Sequence, residues 1–385
     1  MGKGRDLALS AMVRMAPGKT PDPGIWLFSS TDNRHFNYNS KPLFEYVVKH
    51  HPEIRARYVI NDPGLRRRME AIYGEQYFIS TDNAEGIRQA LEAGVWFTSA
   101  GLPVYGRGIG KNRRIVNLWH GIPLKKIALL DPNLTPSSRL WFKAMFSDNY
   151  ADIVTTSRFM VRVMAESFGV DEALIRTWGQ PRCDILFRPV EREAYFKSVF
   201  SELPDYQKTI LYAPTFRDGE GTRLFPFEDF DRRSLEAFLE KESAILLIRT
   251  HIMEQAGVKA FCGGRVLAAG EDVIQEVMDF LPCIDLLVTD YSSIYLDYIL
   301  LDRPMLFLPY DREWYLKKRG LNFDYEEVTP GPKPDTFRKF CEDISEAFSG
   351  HDPYAEKRGR IRSLFYDEAG PCCEKICQEI IKGKG

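Results

Sequence analysis

At 385 residues, 44% hydrophobic and 28% charged, the chain is long enough for two domains with separate cores and has the composition of a soluble globular protein. It has no apolar run long enough to span a bilayer, and its start, M-G-K-G-R-D, lacks the apolar region of a signal peptide and does not fit the myristoylation pattern. Net charge is −2, yet residues 1–130 hold 19 Lys and Arg against 11 Asp and Glu, a balance of +8 that leaves −10 for the rest. A basic first third suits an anionic surface or substrate, although a solvated face with counter-charges elsewhere in the fold explains it as well.

The predicted elements alternate. Ile25–Ser29 reads as a strand followed by the polar turn Ser30-Thr31-Asp32-Asn33, and Ser40 caps a helix with Pro42 in its first turn. Strands at 57–60, 77–79 and 95–98 alternate with helices at 65–73 and 84–93. The glycine-rich segment Gly101–Lys111 lacks the spacing of a phosphate-binding P-loop and reads as a mobile loop. A strand at 114–118 runs into Trp119-His120-Gly121-Ile122-Pro123, and strands at 153–155 and 176–178 flank a helix at 159–168. The stretch to Gln207 reads as a linker carrying a helix. A second series follows, with strands at 209–212, 245–248, 286–288 and 305–308, and the last 50 residues read as helices only.

Short apolar strands alternating with helices predict parallel, doubly wound sheets. The expected fold is therefore α/β, with two Rossmann-like domains, 1–185 and 186–385, facing a central cleft and C-terminal helices at the end. In such sheets ligands sit beyond the carboxyl ends of the strands, where the polar clusters of this sequence fall. Seven cysteines form no paired C-x-x-C framework, and Cys372, Cys373 and Cys377 have no histidine near them in sequence, so reduced thiols are expected.

Three turns of the second half share the strand-end position: Tyr212–Asp218, Leu247–His251 and Thr289–Ser293. They bring Thr215, Arg217, Arg249, His251, Thr289, Ser292 and Ser293 towards one crevice. Guanidiniums, an imidazole and a helix N-terminus together suit a diphosphate. Taken alone, Ser292 or Ser293 is equally an ordinary cap for a helix at 294–301. Asp297, about one turn into that helix, could accept hydrogen bonds from hydroxyls or be a surface carboxylate. His120, at a strand end before Gly and Pro, is a candidate general base or a structural histidine. No D-x-D motif or cluster of metal ligands stands out in the crevice.

The segments N-L-W-H-G-I-P-L-K-K, Y-A-P-T-F-R-D, I-R-T-H and T-D-Y-S-S-I-Y-L-D-Y-I-L-L-D-R-P, with F-L-P-Y-D-R-E-W-Y and R-G-L-N-F-D after them, resemble the CDP-glycerol glycerophosphotransferases of teichoic acid and capsule synthesis. The resemblance runs from about Trp26 to Pro332 and is most specific from Thr289 onward. It implies a GT-B fold whose C-terminal half binds CDP-glycerol or a similar CDP-polyol and whose N-terminal half meets acceptor and membrane. It also implies His120 as the base, His251 as a phosphate contact, Ser292 and Ser293 as diphosphate binders, and Asp297 as the acid near the glycerol. Ile122, Phe216 and Ile252 depart from residues common in the family, without removing a catalytic group.

The expected reaction moves glycerol phosphate, or a related polyol phosphate, to a hydroxyl of a membrane-anchored or polymer-end acceptor and releases CMP. No cofactor and no nucleic acid is expected to take part. The expected place of action is the cytoplasmic, inner face of the cell membrane, with the protein held peripherally on an anionic surface. Leu140–Phe146, apolar with Lys143 inside it, suits such an interface or the core of the first domain. The alternatives are a GT-B glycosyltransferase or epimerase using a nucleotide sugar, and a non-catalytic module that binds polyanions.

Overall fold

The computed structural model describes residues 20–217, 221–250 and 255–383. These form two compact units. The first comprises residues 1–122, 127–184 and 366–385, and the second 123–126 and 185–365.

The first unit is built on a seven-stranded sheet of β1 (Asp22–Ser29), β2 (Arg55–Val59), β3 (Phe78–Ile79), β4 (Ala93–Thr98), β5 (Arg114–Asn117), β6 (Asp152–Thr155) and β7 (Ile175–Thr177). The order is β3-β2-β1-β4-β5-β6-β7 and every pairing is parallel. The central strands are buried on both faces, so β1 and β4 read as continuous apolar runs. Leu43, Phe44 and Val47 of the helix Ser40–His50 close one face of the sheet against Phe28, Tyr58 and Phe97.

The C-terminal helix Cys373–Lys382 joins this core through Ile376, Cys377 and Ile380, all fully buried. Its start is tied by Asp184, whose carboxylate accepts from the N–H groups of Cys372 at 2.9 Å and Cys373 at 3.1 Å. The last 20 residues therefore belong to the first unit, whereas the sequence reading assigned them to the second domain. Burial of Ile376 and Ile380 supplies the reason, at roughly 1.5–3 kcal/mol for each side chain.

The second unit carries a five-stranded parallel sheet of β8 (Lys208–Ala213), β9 (Ala244–Ile248), β10 (Val266–Ala268), β11 (Leu286–Thr289) and β12 (Met305–Phe307), in the order β10-β9-β8-β11-β12. The segment Pro123–Lys126, directly after the W-H-G-I motif, belongs here. The Asn322 amide donates to the carbonyls of Pro123 at 2.8 Å and Lys125 at 2.9 Å, and the Asn322 N–H to that of Leu124.

Strand order reverses between β1 and β4 in the first unit and between β8 and β11 in the second. At such a point neighbouring connections leave in opposite directions and open a crevice at the carboxyl ends. Register places Thr289 opposite Ala213, so β8 and β11 end level and their two turns start side by side.

Candidate active site

The turns after β8 and β11 are joined by Asp290, which is 1% exposed. One carboxylate oxygen accepts from the N–H of Thr215 at 2.8 Å and of Tyr291 at 2.6 Å. The other accepts from Nη1 of Arg217 at 2.5 Å. Arg217, 2% exposed, reaches on with Nε and Nη2 to the two oxygens of Asp311, each at 2.9 Å, while Nη1 also donates to the Thr215 carbonyl. The rings of Tyr310, Tyr291 and Tyr315 lie 5.0, 5.5 and 5.8 Å from the guanidinium carbon. Burial works against the charge of Arg217, but its bonds to Asp311 and Asp290 outweigh this and hold it more firmly protonated than a free arginine.

Arg217 was expected to grip a diphosphate. Its guanidinium is instead enclosed between two carboxylates, a carbonyl and aromatic rings, so here it acts as a structural cation joining β8 to β11. Arg249 differs from expectation in a similar way: Nη1 donates to the carbonyls of Ala269 at 3.0 Å and Ile274 at 2.7 Å, and Nη2 to that of Gln275 at 3.2 Å. It fastens the loop after β10. Thr289, fully buried, locks its hydroxyl onto the Ala213 carbonyl at 2.7 Å.

Ser292 and Ser293 remain partly accessible at the start of the helix Ile294–Tyr298, which continues as a 3-10 turn to Leu301. Of the two, only Ser292 makes a capping contact, and a long one. Ser293 is in the helical region with no side-chain cap bond, and the Ser292 hydroxyl accepts from the Ile294 N–H at 3.4 Å. Asp297 is 1% exposed, which removes the surface-carboxylate alternative. The Thr215 hydroxyl is buried and has no hydrogen-bond partner among the described residues, and the same holds for Thr250, directly after Arg249. An unpaired buried hydroxyl costs about 1–3 kcal/mol, so two at the ends of adjacent strands are natural partners for a ligand's oxygens. The sequence reading quoted Thr250 inside I-R-T-H without singling it out. His251 lies outside the described residues.

His120 stands in the first unit, just past the end of β5. Trp119 before it is left-handed, with φ 53°, and its N–H is held by the Asn117 side chain at 2.9 Å. The His120 ring lies 4.0 Å from the Trp119 ring and 5.2 Å from that of Tyr38. Nδ1 is 3.1 Å from the Ser99 carbonyl. A carbonyl can only accept, so Nδ1 carries the proton and Nε2 keeps a lone pair. Burial pushes the imidazole down to about 4; the Ser99 bond opposes the shift and the Arg182 charge adds to it. The ring is thus neutral at pH 7, with one nitrogen able to take a proton. Among the described residues no group of three or more His, Cys, Asp and Glu side chains is arranged to hold a metal ion.

Two parallel α/β units, each with its polar residues at the strand-order reversal, define a GT-B-like protein. That fold is shared with a UDP-N-acetylglucosamine 2-epimerase from Listeria monocytogenes at a TM-score of 0.54 and 13% identity, over 92% of this chain and 94% of that one. The chain belongs to the CDP-glycerol:poly(glycerophosphate) glycerophosphotransferase family, whose model matches residues 11–382.

Among its relatives, the teichoic acid poly(glycerol phosphate) polymerase of Staphylococcus epidermidis is 28% identical over 80% of this chain and 44% of that protein. The teichoic acid glycerol-phosphate transferase of Staphylococcus aureus is 27% identical over 94% of each. A solved structure of the wall teichoic acid polymerase TagF has a TM-score of 0.78 at 22% identity, covering 98% of this chain and 93% of that one. The chain spans about half the length of two of the polymerases it matches, 44% and 48% for those of Staphylococcus epidermidis and Bacillus subtilis.

Removing either end of the Arg217–Asp290 bond strands a buried charge. Arg217→Ala and Asp290→Ala should each lose about 3–5 kcal/mol of stability, read as a lower urea midpoint. An Arg217→Ala protein with the wild-type midpoint but weakened CDP-glycerol binding would return Arg217 to the role of ligand.

Proposed function

We propose that this protein transfers glycerol phosphate from CDP-glycerol to an acceptor hydroxyl and releases CMP. The second unit holds the donor; the first carries the base and meets the acceptor. The acceptor oxygen bonds to the glycerol-bearing phosphorus, the bridging P–O bond breaks, and its electron pair leaves with CMP. Nε2 of His120 takes the hydroxyl proton. The observation that carries this reading is a neutral His120 whose Nδ1 proton rests on the Ser99 carbonyl, in a chain of the glycerophosphotransferase family. The Thr215 and Thr250 hydroxyls, which have no hydrogen-bond partner among the described residues, are with Ser292 and Ser293 the donors offered to the diphosphate; Asp297 and His251 complete the proposed donor site.

CMP release from CDP-glycerol in the presence of a glycerol-terminated acceptor tests the reaction. UDP-sugars should give no nucleotide release; turnover of a UDP-sugar instead would favour the glycosyltransferase or epimerase alternative. His120→Ala should lower turnover at least about 100-fold with little change in donor affinity. Near-wild-type turnover in the folded variant would remove His120 from the role of base.

The depressed pKa gives a second test. A base must be unprotonated, so activity is present above its pKa and lost as pH falls through it. The acid limb of kcat/KM, which reports the free enzyme, should therefore centre near pH 4. A limb at the ordinary histidine position, about 6.5, would show that the ring is not held as described.

We also propose that the first unit docks peripherally on an anionic membrane at the inner face of the cell membrane. Among the described residues no helix is long and apolar enough to cross one. The helix Pro136–Met145 has no buried residue; Leu140 is 73% exposed, and Arg139 and Lys143 are exposed beside it. Phe142 and Phe146 pack on each other, and Phe142 also on Phe168, so the aromatic part of Leu140–Phe146 supports the unit and leaves Leu140 outside. Arg67 and Arg68 are exposed as well. Each basic residue near such a surface contributes about 1 kcal/mol, screened by salt. The protein should pellet with phosphatidylglycerol vesicles at low ionic strength and be released at high. Remaining in the supernatant at low salt would end this proposal.

A further inference from the structure

We infer that Asn39 and Arg182 are positioning residues, which clamp the Trp119-His120-Gly121 turn so that His120 presents Nε2 as the free nitrogen. The inference rests on the base role proposed for His120.

Asn39 directly precedes the helix Ser40–His50, the position where an asparagine normally accepts a hydrogen bond from its own helix. It makes no such bond, although it is fully buried. Its Nδ2 donates instead to the carbonyls of Leu118 at 3.0 Å and Trp119 at 2.9 Å, and its Oδ1 accepts from the N–H of Arg182 at 3.0 Å. The helix end that Asn39 gives up is served from another strand: the Ser40 N–H donates to the Ser99 hydroxyl at 2.9 Å, and the two serine hydroxyls lie 2.8 Å apart. Ser99 is also the residue whose carbonyl holds Nδ1 of His120. The start of one helix and the imidazole thus share a single anchor.

Arg182 completes the clamp. Its Nη1 donates to the His120 carbonyl at 2.6 Å. Its guanidinium lies so close to Gly121, φ 151°, that a Cβ on that glycine would stand 2.8 Å from Nη2. Three successive residues are therefore fixed through their backbone, at Trp119 and His120 by carbonyl bonds and at Gly121 by close approach. A left-handed Trp119 is an unfavourable conformation for a residue with a Cβ, and it persists only where neighbours over-determine it. The groups around the ring are the Ser99 carbonyl, the Trp119 indole, the Tyr38 phenol and the Arg182 charge; of these, Arg182 is the fixed charge, and it disfavours the imidazolium.

The test is made on the full chain with two readouts. Long-range 1H–15N NMR identifies the His120 ring by its absence in His120→Ala and reports its tautomer and titration midpoint. CMP release from CDP-glycerol with a glycerol-terminated acceptor reports kcat and KM. At pH 7 the wild-type ring should be the neutral Nδ1–H tautomer. Arg182→Gln should raise its midpoint, Arg182→Lys should keep the midpoint low, and Asn39→Ala should mix the tautomers. All three should lower kcat, up to about 100-fold, with the KM for CDP-glycerol within about threefold, as expected when a reacting group is misplaced without loss of substrate contacts.

A wild-type ring protonated on Nε2 would overturn the inference. So would wild-type kcat and ring spectra in Arg182→Gln, which decides the matter if Asn39→Ala does not fold. The two failures are separable. Turnover retained in His120→Ala removes the base role and the purpose of the clamp with it. Loss of turnover in His120→Ala beside unaffected Asn39 and Arg182 variants removes the clamp alone.

Discussion

The second unit depends on one buried carboxylate. Asp290 sits where strand order reverses and answers two backbone N–H groups and one guanidinium, so the turns after β8 and β11 hold their shape together. Desolvating such a charge costs several kcal/mol, which excellent geometry must return. Here it does so through Arg217, whose other edge is matched by Asp311 in a two-bond fork and whose plane is walled by tyrosines. Ser292 and Ser293 begin two residues after Asp290. Their position is thus set by an ion network that does not include them.

Where the positive charge goes has a chemical consequence. Arg217 is neutralised internally and Arg249 is tied to three carbonyls. On the proposed function, the described part of the donor site then offers a diphosphate mainly neutral dipoles: backbone N–H groups and the hydroxyls of Ser292, Ser293, Thr215 and Thr250. Pre-oriented dipoles stabilise charge that develops during transfer without having to reorganise. In the first unit burial keeps the His120 imidazole neutral and receptive, and the nearby Arg182 cation adds to the effect.

Much of this was legible in the sequence, and the parts that were not share a cause. Strands such as Leu286–Thr289 and helices such as Ser40–His50 follow from local apolar runs and lie within a few residues of where the sequence puts them, although the cap expected from Ser40 is not made, its hydroxyl donating to the Ser29 carbonyl instead. The edge strand β10, Val266–Ala268, was missed. The helix Pro136–Met145, capped by Thr135 with Pro136 behind it, carried a start signal that the apolar run after it obscured. The partners of Arg217 and Arg249 were hidden for a different reason. A sequence shows donors, but the carboxylate acceptors of Arg217 lie 73 and 94 residues away and the acceptors of Arg249 are backbone carbonyls of a loop. Asp297 was ambiguous until burial excluded a surface position.

The same reasoning explains why His120 could be singled out while its support could not. The H-G-I-P run marks a turn, because Gly121 permits a backbone few residues adopt and Pro123 ends regular structure. Nothing local says which nitrogen is protonated. That is settled by Ser99, 21 residues earlier, and the shape of the turn by Asn39 and Arg182, 143 residues apart in the chain and joined by a hydrogen bond. Chemistry-bearing side chains tend to stand next to turn residues, where they are easy to see. The groups that fix their tautomer and charge come from whichever strands the topology makes neighbours. In this unit Ser99 follows β4, Asn39 comes between β1 and the next helix, and His120 follows β5, three strands adjacent at the point where strand order reverses, while Arg182 reaches them from beyond β7.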